Sequence, residues 1–147
     1  MADQAETPLN KYIDHTLLRA DATARDIEKL CKEAVVNELF AVCISGCWVQ
    51  NAWNHLGESN VSIATVIGFP SGATDSDAKR YETEVAIDNG AHEIDLMMNI
   101  GKFLDGDHQA ISREIRDVID SADDRRVKLI IETGYFNDEQ IATACKI

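Results

Sequence analysis

No apolar run in the sequence approaches the ~18 residues that a membrane-spanning helix needs, and Met1–Pro8 lacks the basic-then-apolar layout of a secretory leader. Basic residues are scarce, with 14 Lys+Arg against 26 Asp+Glu and a formal net charge of −12. Such a surface repels nucleic acid and anionic lipid, so neither nucleic-acid nor membrane partners are expected, and a cytoplasmic location is. With only Pro 2 and Gly 8, collagen-like and low-complexity chains are excluded. The four cysteines, Cys31, Cys43, Cys47 and Cys145, form no CxxC pair and have no His at ligand spacing, so no metal centre is expected. There is no GxSxG elbow and no Ser/His/Asp order. Gly68-Phe69-Pro70-Ser71-Gly72 matches neither GxGxxG nor the P-loop, and reads as an ordinary strand-to-helix turn.

What is present is a core-forming composition, 45% hydrophobic over 147 residues, enough for one domain spanning 1–147. Apolar segments suited to buried strands alternate with segments at helical period. Tyr12–Leu18, Phe40–Ser45, Val61–Gly68, Glu93–Asn99 and Val127–Thr133 read as strands. Thr23–Asp26 resembles a capping box with Asp in place of Glu, and Ile27, Leu30, Cys31, Ala34 and Val35 follow on one helical face. A weaker helix carries Trp48, Val49 and Trp53. Further helices are expected over Ser76–Asp88, Asp107–Ala122 and after the N-cap Asn137. This rhythm implies βαβ units and a parallel sheet, an α/β fold.

Strands of a parallel sheet, covered on both faces, should be continuously apolar, so their polar residues stand out. In Glu93–Asn99, Glu93, Asp95, Met97 and Asn99 share one face. A carboxylate inside such a strand is costly unless paired, hydrogen-bonded or used. Asp95 is therefore either half of an ion pair, with Lys128 on the next strand as partner, or a general acid/base. Asp14 and Thr16 repeat the pattern on the first strand, where a helix-capping Asp is the plainer reading. Cys43 and Thr65 would add polar groups to the same interior, or simply fill it. Lys128 and Glu132 alternate inward around Ile130 and read as an internal ion pair. His15 and His92 read as packing residues.

The stretches IDHTLL (Ile13–Leu18), LCKEA (Leu30–Ala34), AVCIS (Ala41–Ser45), TVIGFPSG (Thr65–Gly72), EIDLMMNIG (Glu93–Gly101) and VKLIIETGYF (Val127–Phe136) resemble the class I deoxyribose-phosphate aldolases. They occur in family order and spacing from about Leu9 to the end. The resemblance implies a (β/α)8 TIM barrel that cleaves 2-deoxy-D-ribose 5-phosphate, a small phosphorylated sugar, into glyceraldehyde 3-phosphate and acetaldehyde. It implies a lysine Schiff base as the covalent strategy, with no metal or organic cofactor. Asp95 matches the family's proton-shuttling aspartate, Asp14 and Thr16 match members of its supporting relay, and Cys43 matches a cysteine near the substrate pocket.

The family's Schiff-base lysine lies in a VKTSTGF-like strand, and a second lysine lies in KASGG. Neither motif occurs here, nor do the glycine-rich phosphate loops. The lysines are Lys11, Lys29, Lys32, Lys79, Lys102, Lys128 and Lys146, and all but Lys128 read as helix, loop or surface residues. Lys128 begins its strand, whereas barrel active sites lie at the C-terminal strand ends, so it is not taken as the nucleophile. The expected architecture is an incomplete barrel with about five of the eight strands. Two functional readings follow, an aldolase or a catalytically inactive, self-associating binding module. Open apolar sheet edges favour a homo-oligomer in either case.

Overall fold

Local signals set the helix starts. The Thr23 hydroxyl accepts the Asp26 amide while the Asp26 carboxylate accepts the Thr23 amide, a reciprocal cap that opens helix α1 (Ala24–Val36). Asp75, Asp107 and Asn137 cap helices α3 (Ser76–Asp88), α5 (His108–Ser121) and α6 (Asp138–Ala144) through their side chains. Helix α2 (Val49–Leu56) has no such cap, and a short helix α4 (Ile100–Leu104), absent from the periodicity reading, is capped by the Asn99 side chain. The computed structural model describes residues 7–147, so the leader reading at Met1–Pro8 falls, but for its last two residues, outside them.

Strands β1 (Asp14–Leu17), β2 (Ala41–Ser45), β3 (Ser62–Ile67), β4 (Glu93–Met97) and β5 (Arg126–Ile130) form one sheet in chain order, all neighbours parallel. With helices between them, this is the α/β fold of a TIM barrel, present as five strands. Most strands are shorter than expected: Leu18, Phe40, Val61, Gly68, Met98 and Asn99 fall outside them, and two further ends differ for identifiable reasons. Tyr12 belongs to a 3₁₀ turn, Leu9–Tyr12, and not to β1. β5 stops at Ile130, because Glu132 takes a left-handed backbone (φ 52°) that leads into a 3₁₀ turn at Thr133–Tyr135.

Side chains alternate across the sheet. On the helix side, Ile44, Ile63, Ile67, Ile94 and Leu96 pack with Ile27, Leu30 and Val118 into the main core. The opposite face carries a smaller cluster of Cys43, Ala64 and Val66 against Leu18 and Ile130. β2, β3 and β4 are almost wholly buried, whereas β1 and β5, with one strand neighbour each, are half-buried to exposed. Among the described residues no helix is long and apolar enough to cross a membrane.

Candidate active site

The inner face of the sheet collects charge from three strands. Asp14 opens β1, Glu93 and Asp95 lie on β4, and Lys128 lies mid-way along β5. Register places Asp95 directly beside Lys128. Lys128 Nζ donates a hydrogen bond of 2.6 Å to Asp14 Oδ2, reaching from one edge strand to the other. It also lies 3.1 Å from Asp95 Oδ1 and 3.2 Å from Glu93 Oε2. Those two oxygens are buried without an aligned hydrogen bond, so their attraction to Lys128 is Coulombic and off-axis. Glu93 is held from its other side by Arg126, whose guanidinium also covers the Phe40 ring.

One ammonium facing three carboxylates has a defined protonation state. Burial alone weakens the charged form of Lys128. The Asp14 hydrogen bond and the charges of Asp95 and Glu93 outweigh it and raise the pKa well above the ordinary lysine range. A nucleophilic lysine must be neutral to attack, so Lys128 acts here as a fixed cation. The ion-pair reading of Asp95 is therefore correct as far as it goes. Pairing does not disqualify Asp95 as a base, because its Oδ1 carries no aligned donor.

Cys43 sits beside this cluster. Its thiol donates to Asp95 Oδ2 at 3.4 Å, and burial followed by the Asp95 charge pushes its pKa up to about 12. Thr16 pairs in register with Cys43 but is exposed, and its hydroxyl donates to the Asp14 carbonyl at 3.0 Å. Asp14, Thr16, Cys43 and Asp95 are thus brought to one face. Thr65 is not. It alternates with Ala64 and Val66 of the inner cluster, pairs with Ile44 and Ile94 of the main core, and donates its hydroxyl to the Ile44 carbonyl at 2.9 Å. It fills the helix side of the sheet.

Glu132 makes no internal pair with Lys128, since it lies beyond the end of β5 and is exposed. Glu93 takes that place, marked in the sequence by sharing the inner face of β4 with Asp95. His92 and His15 are packing residues as read: the Ile63 amide donates to His92 Nδ1 at 3.0 Å, and His15 pairs with Glu33 at 2.8 Å. Among the described residues, no three His, Cys, Asp or Glu side chains are grouped to hold a metal ion. Lys79, read only as one of the helix, loop or surface lysines, lies on α3 and is fully buried.

Known proteins resemble this chain in sequence and in fold. A deoxyribose-phosphate aldolase of Streptococcus uberis is 44% identical over 139 residues, covering 95% of this chain and 63% of the relative. One of Ureaplasma parvum is 46% identical over 138 residues, covering 94% of the chain and 64% of the relative. The chain therefore spans somewhat under two thirds of the curated relatives it matches. The crystal structure of a Coccidioides immitis protein assigned as a deoxyribose-phosphate aldolase superposes with TM-score 0.91 at 33% identity, covering 93% of this chain and 54% of that one. A tetrameric deoxyribose phosphate aldolase of Aeropyrum pernix shares the fold, with TM-score 0.73 at 23% identity over 88% of this chain and 54% of that one. The sequence model of the DeoC/LacD aldolases matches residues 9–146, and the chain belongs to that family.

Proposed function

We propose that this chain carries the proton-handling part of a Schiff-base aldolase site acting on 2-deoxy-D-ribose 5-phosphate, in the cytoplasm. The observation that supports it is the inner-face cluster in which Lys128 joins Asp14 to Asp95, each aspartate at a position matching the family motif. Retro-aldol cleavage removes a proton from the substrate hydroxyl as the carbon–carbon bond breaks and its electron pair flows into an iminium. Asp95 accepts that proton and later returns one to the carbon. Lys128 holds Asp95 in place, Asp14 fixes Lys128, and Thr16 and Cys43 border the cluster. The Schiff-base lysine that the resemblance implies lies in a VKTSTGF-like motif, which this chain lacks.

The test mixes the chain with a polypeptide comprising the unmatched remainder of the Streptococcus uberis relative. Release of glyceraldehyde 3-phosphate is followed by a coupled assay. Cleavage is expected on mixing, with a fall of about 10²-fold or more for Asp95→Asn. A mixture that assembles on a sizing column yet cleaves nothing defeats the proposal. Borohydride trapping with substrate should label the added polypeptide, and an adduct on Lys128 would overturn its role as a fixed cation.

The second reading, a self-associating module, draws on the exposure of β1 and β5 beside fully buried central strands. It predicts a homo-oligomer. Light scattering at micromolar concentration that gave a 16.3 kDa particle would exclude it.

A further inference from the structure

Lys79 is the one fully buried cation among the described residues, and nothing in the proposed chemistry uses it. It projects from the first turns of α3, and its ammonium donates to Glu114 Oε1 on α5 at 2.7 Å and to the Met97 carbonyl at the end of β4 at 2.9 Å. Glu114 is only 3% exposed and accepts a second bond from the Ser76 hydroxyl at 3.0 Å. The stem of Lys79 lies against Gly68, where an added Cβ would stand 2.6 Å from its Cε. The Gly68 amide, in turn, donates to Glu82 of α3 at 2.9 Å. Gly72, at the far end of the same loop, rests on the Met98 carbonyl, which an added Cβ would meet at 1.9 Å. One side chain thus touches the exit of β3 and the exit of β4 together.

Energetics argue against stability as its purpose. A buried ion pair is repaid poorly for its lost hydration, and apolar residues of similar volume often serve as well or better. What the pair supplies is direction: a carbonyl acceptor fixes where the ammonium sits, and the stem fixes where the loop may lie. The C-terminal strand ends are the functional rim of a barrel. We infer that Lys79, held by Glu114, is a positioning residue for that rim, seating loop 68–72 and the β4 exit in one arrangement. This rests on the reading that the rim faces substrate.

The test is amide hydrogen exchange on the full chain, which is independent of catalysis. In Lys79→Met/Glu114→Leu the fold should persist, while exchange at Gly68, Gly72, Met98 and Asn99 rises at least about tenfold and that of β3 residues 63–66 stays unchanged. Glu114→Gln keeps the Lys79 bond to the Met97 carbonyl and should retain most of the rim protection. Three results would overturn the inference: an unfolded double variant, a folded one with unchanged rim exchange, or loosening in Glu114→Gln equal to that of the double variant. Failure of the cleavage experiment alone would remove the substrate reading and leave the exchange result standing.

Discussion

Replacing Lys128 by Met removes the single cation that Asp14 and Asp95 share and leaves Glu93 with Arg126 alone. Breaking a fully buried pair costs ~3–5 kcal/mol, and an exposed one ~0–1 kcal/mol. The Lys128 side chain is 37% exposed while those of Glu93 and Asp95 are 5% and 12% exposed, so the site lies between these limits. A loss of about 2 kcal/mol is expected, which at ~1–3 kcal/mol per molar of urea lowers the unfolding midpoint by about 1 M. The pH dependence follows from the raised pKa of Lys128. A raised folded value makes its contribution complete below the ordinary lysine value of about 10.4, lost only as pH climbs through the folded value. Between about pH 6 and 9 the deficit of the variant should therefore be constant. As pH climbs above that range toward the folded value, Lys128 of the parent loses its proton, the attraction disappears, and the deficit should shrink. Urea titrations of both proteins across this range provide the assay. A variant as stable as the parent at neutral pH, or a deficit that varies between about pH 6 and 9, refutes the reasoning.

Iodoacetamide at about pH 8 should alkylate Cys47 and Cys145, both exposed, and spare Cys31 and Cys43, whose pKa values burial raises to about 11 and about 12. Peptide mass mapping reads the pattern, and rapid labelling of Cys43 would contradict its placement against Asp95. Gly72→Ala should cost more than ~2 kcal/mol by thermal unfolding, because φ 68° is strained for alanine and the new Cβ meets the Met98 carbonyl. Gly106→Ala, at φ 78° with nothing within 4 Å, carries the strain without the clash and should cost clearly less. Thr65→Val should lose about 1 kcal/mol with its bond to the Ile44 carbonyl, while leaving the NMR signals of Asp95 and Lys128 in place.

What the sequence revealed, and what it hid, divides along locality. Period-two alternation is a property of one strand, so the shared face of Glu93 and Asp95, and that of Asp14 and Thr16, could be read directly. Which face of a strand looks inward needs a marker on that strand or its neighbour. β3 is apolar but for Ser62 and Thr65, and polarity alone points Thr65 to the interior, whereas the register pairs Val66, not Thr65, with Asp95. The burial of Lys79 is not legible in its helix because its partner Glu114 lies 35 residues away on another helix. The end of β5 was hidden for a different reason, since Glu132 occupies a left-handed conformation that non-glycine residues rarely adopt.

The exposure of β1 and β5 gives the Asp14–Lys128 bond a second meaning. These strands share no ladder hydrogen bonds, yet a 2.6 Å contact joins them across the inner face. An open sheet of five strands has a natural twist but nothing in its ladder that fixes how far its edges curl toward one another. Here a cation and a carboxylate on opposite edges meet, and Asp95 on β4 is tied to the same cation. Curvature and the geometry around Asp95 therefore both depend on Lys128. A change that weakens this bond alters the position of the proposed base as well as the stability of the sheet. The stability deficit of Lys128→Met and the displacement of its Asp95 NMR signals should appear together, and either without the other would separate what the structure joins.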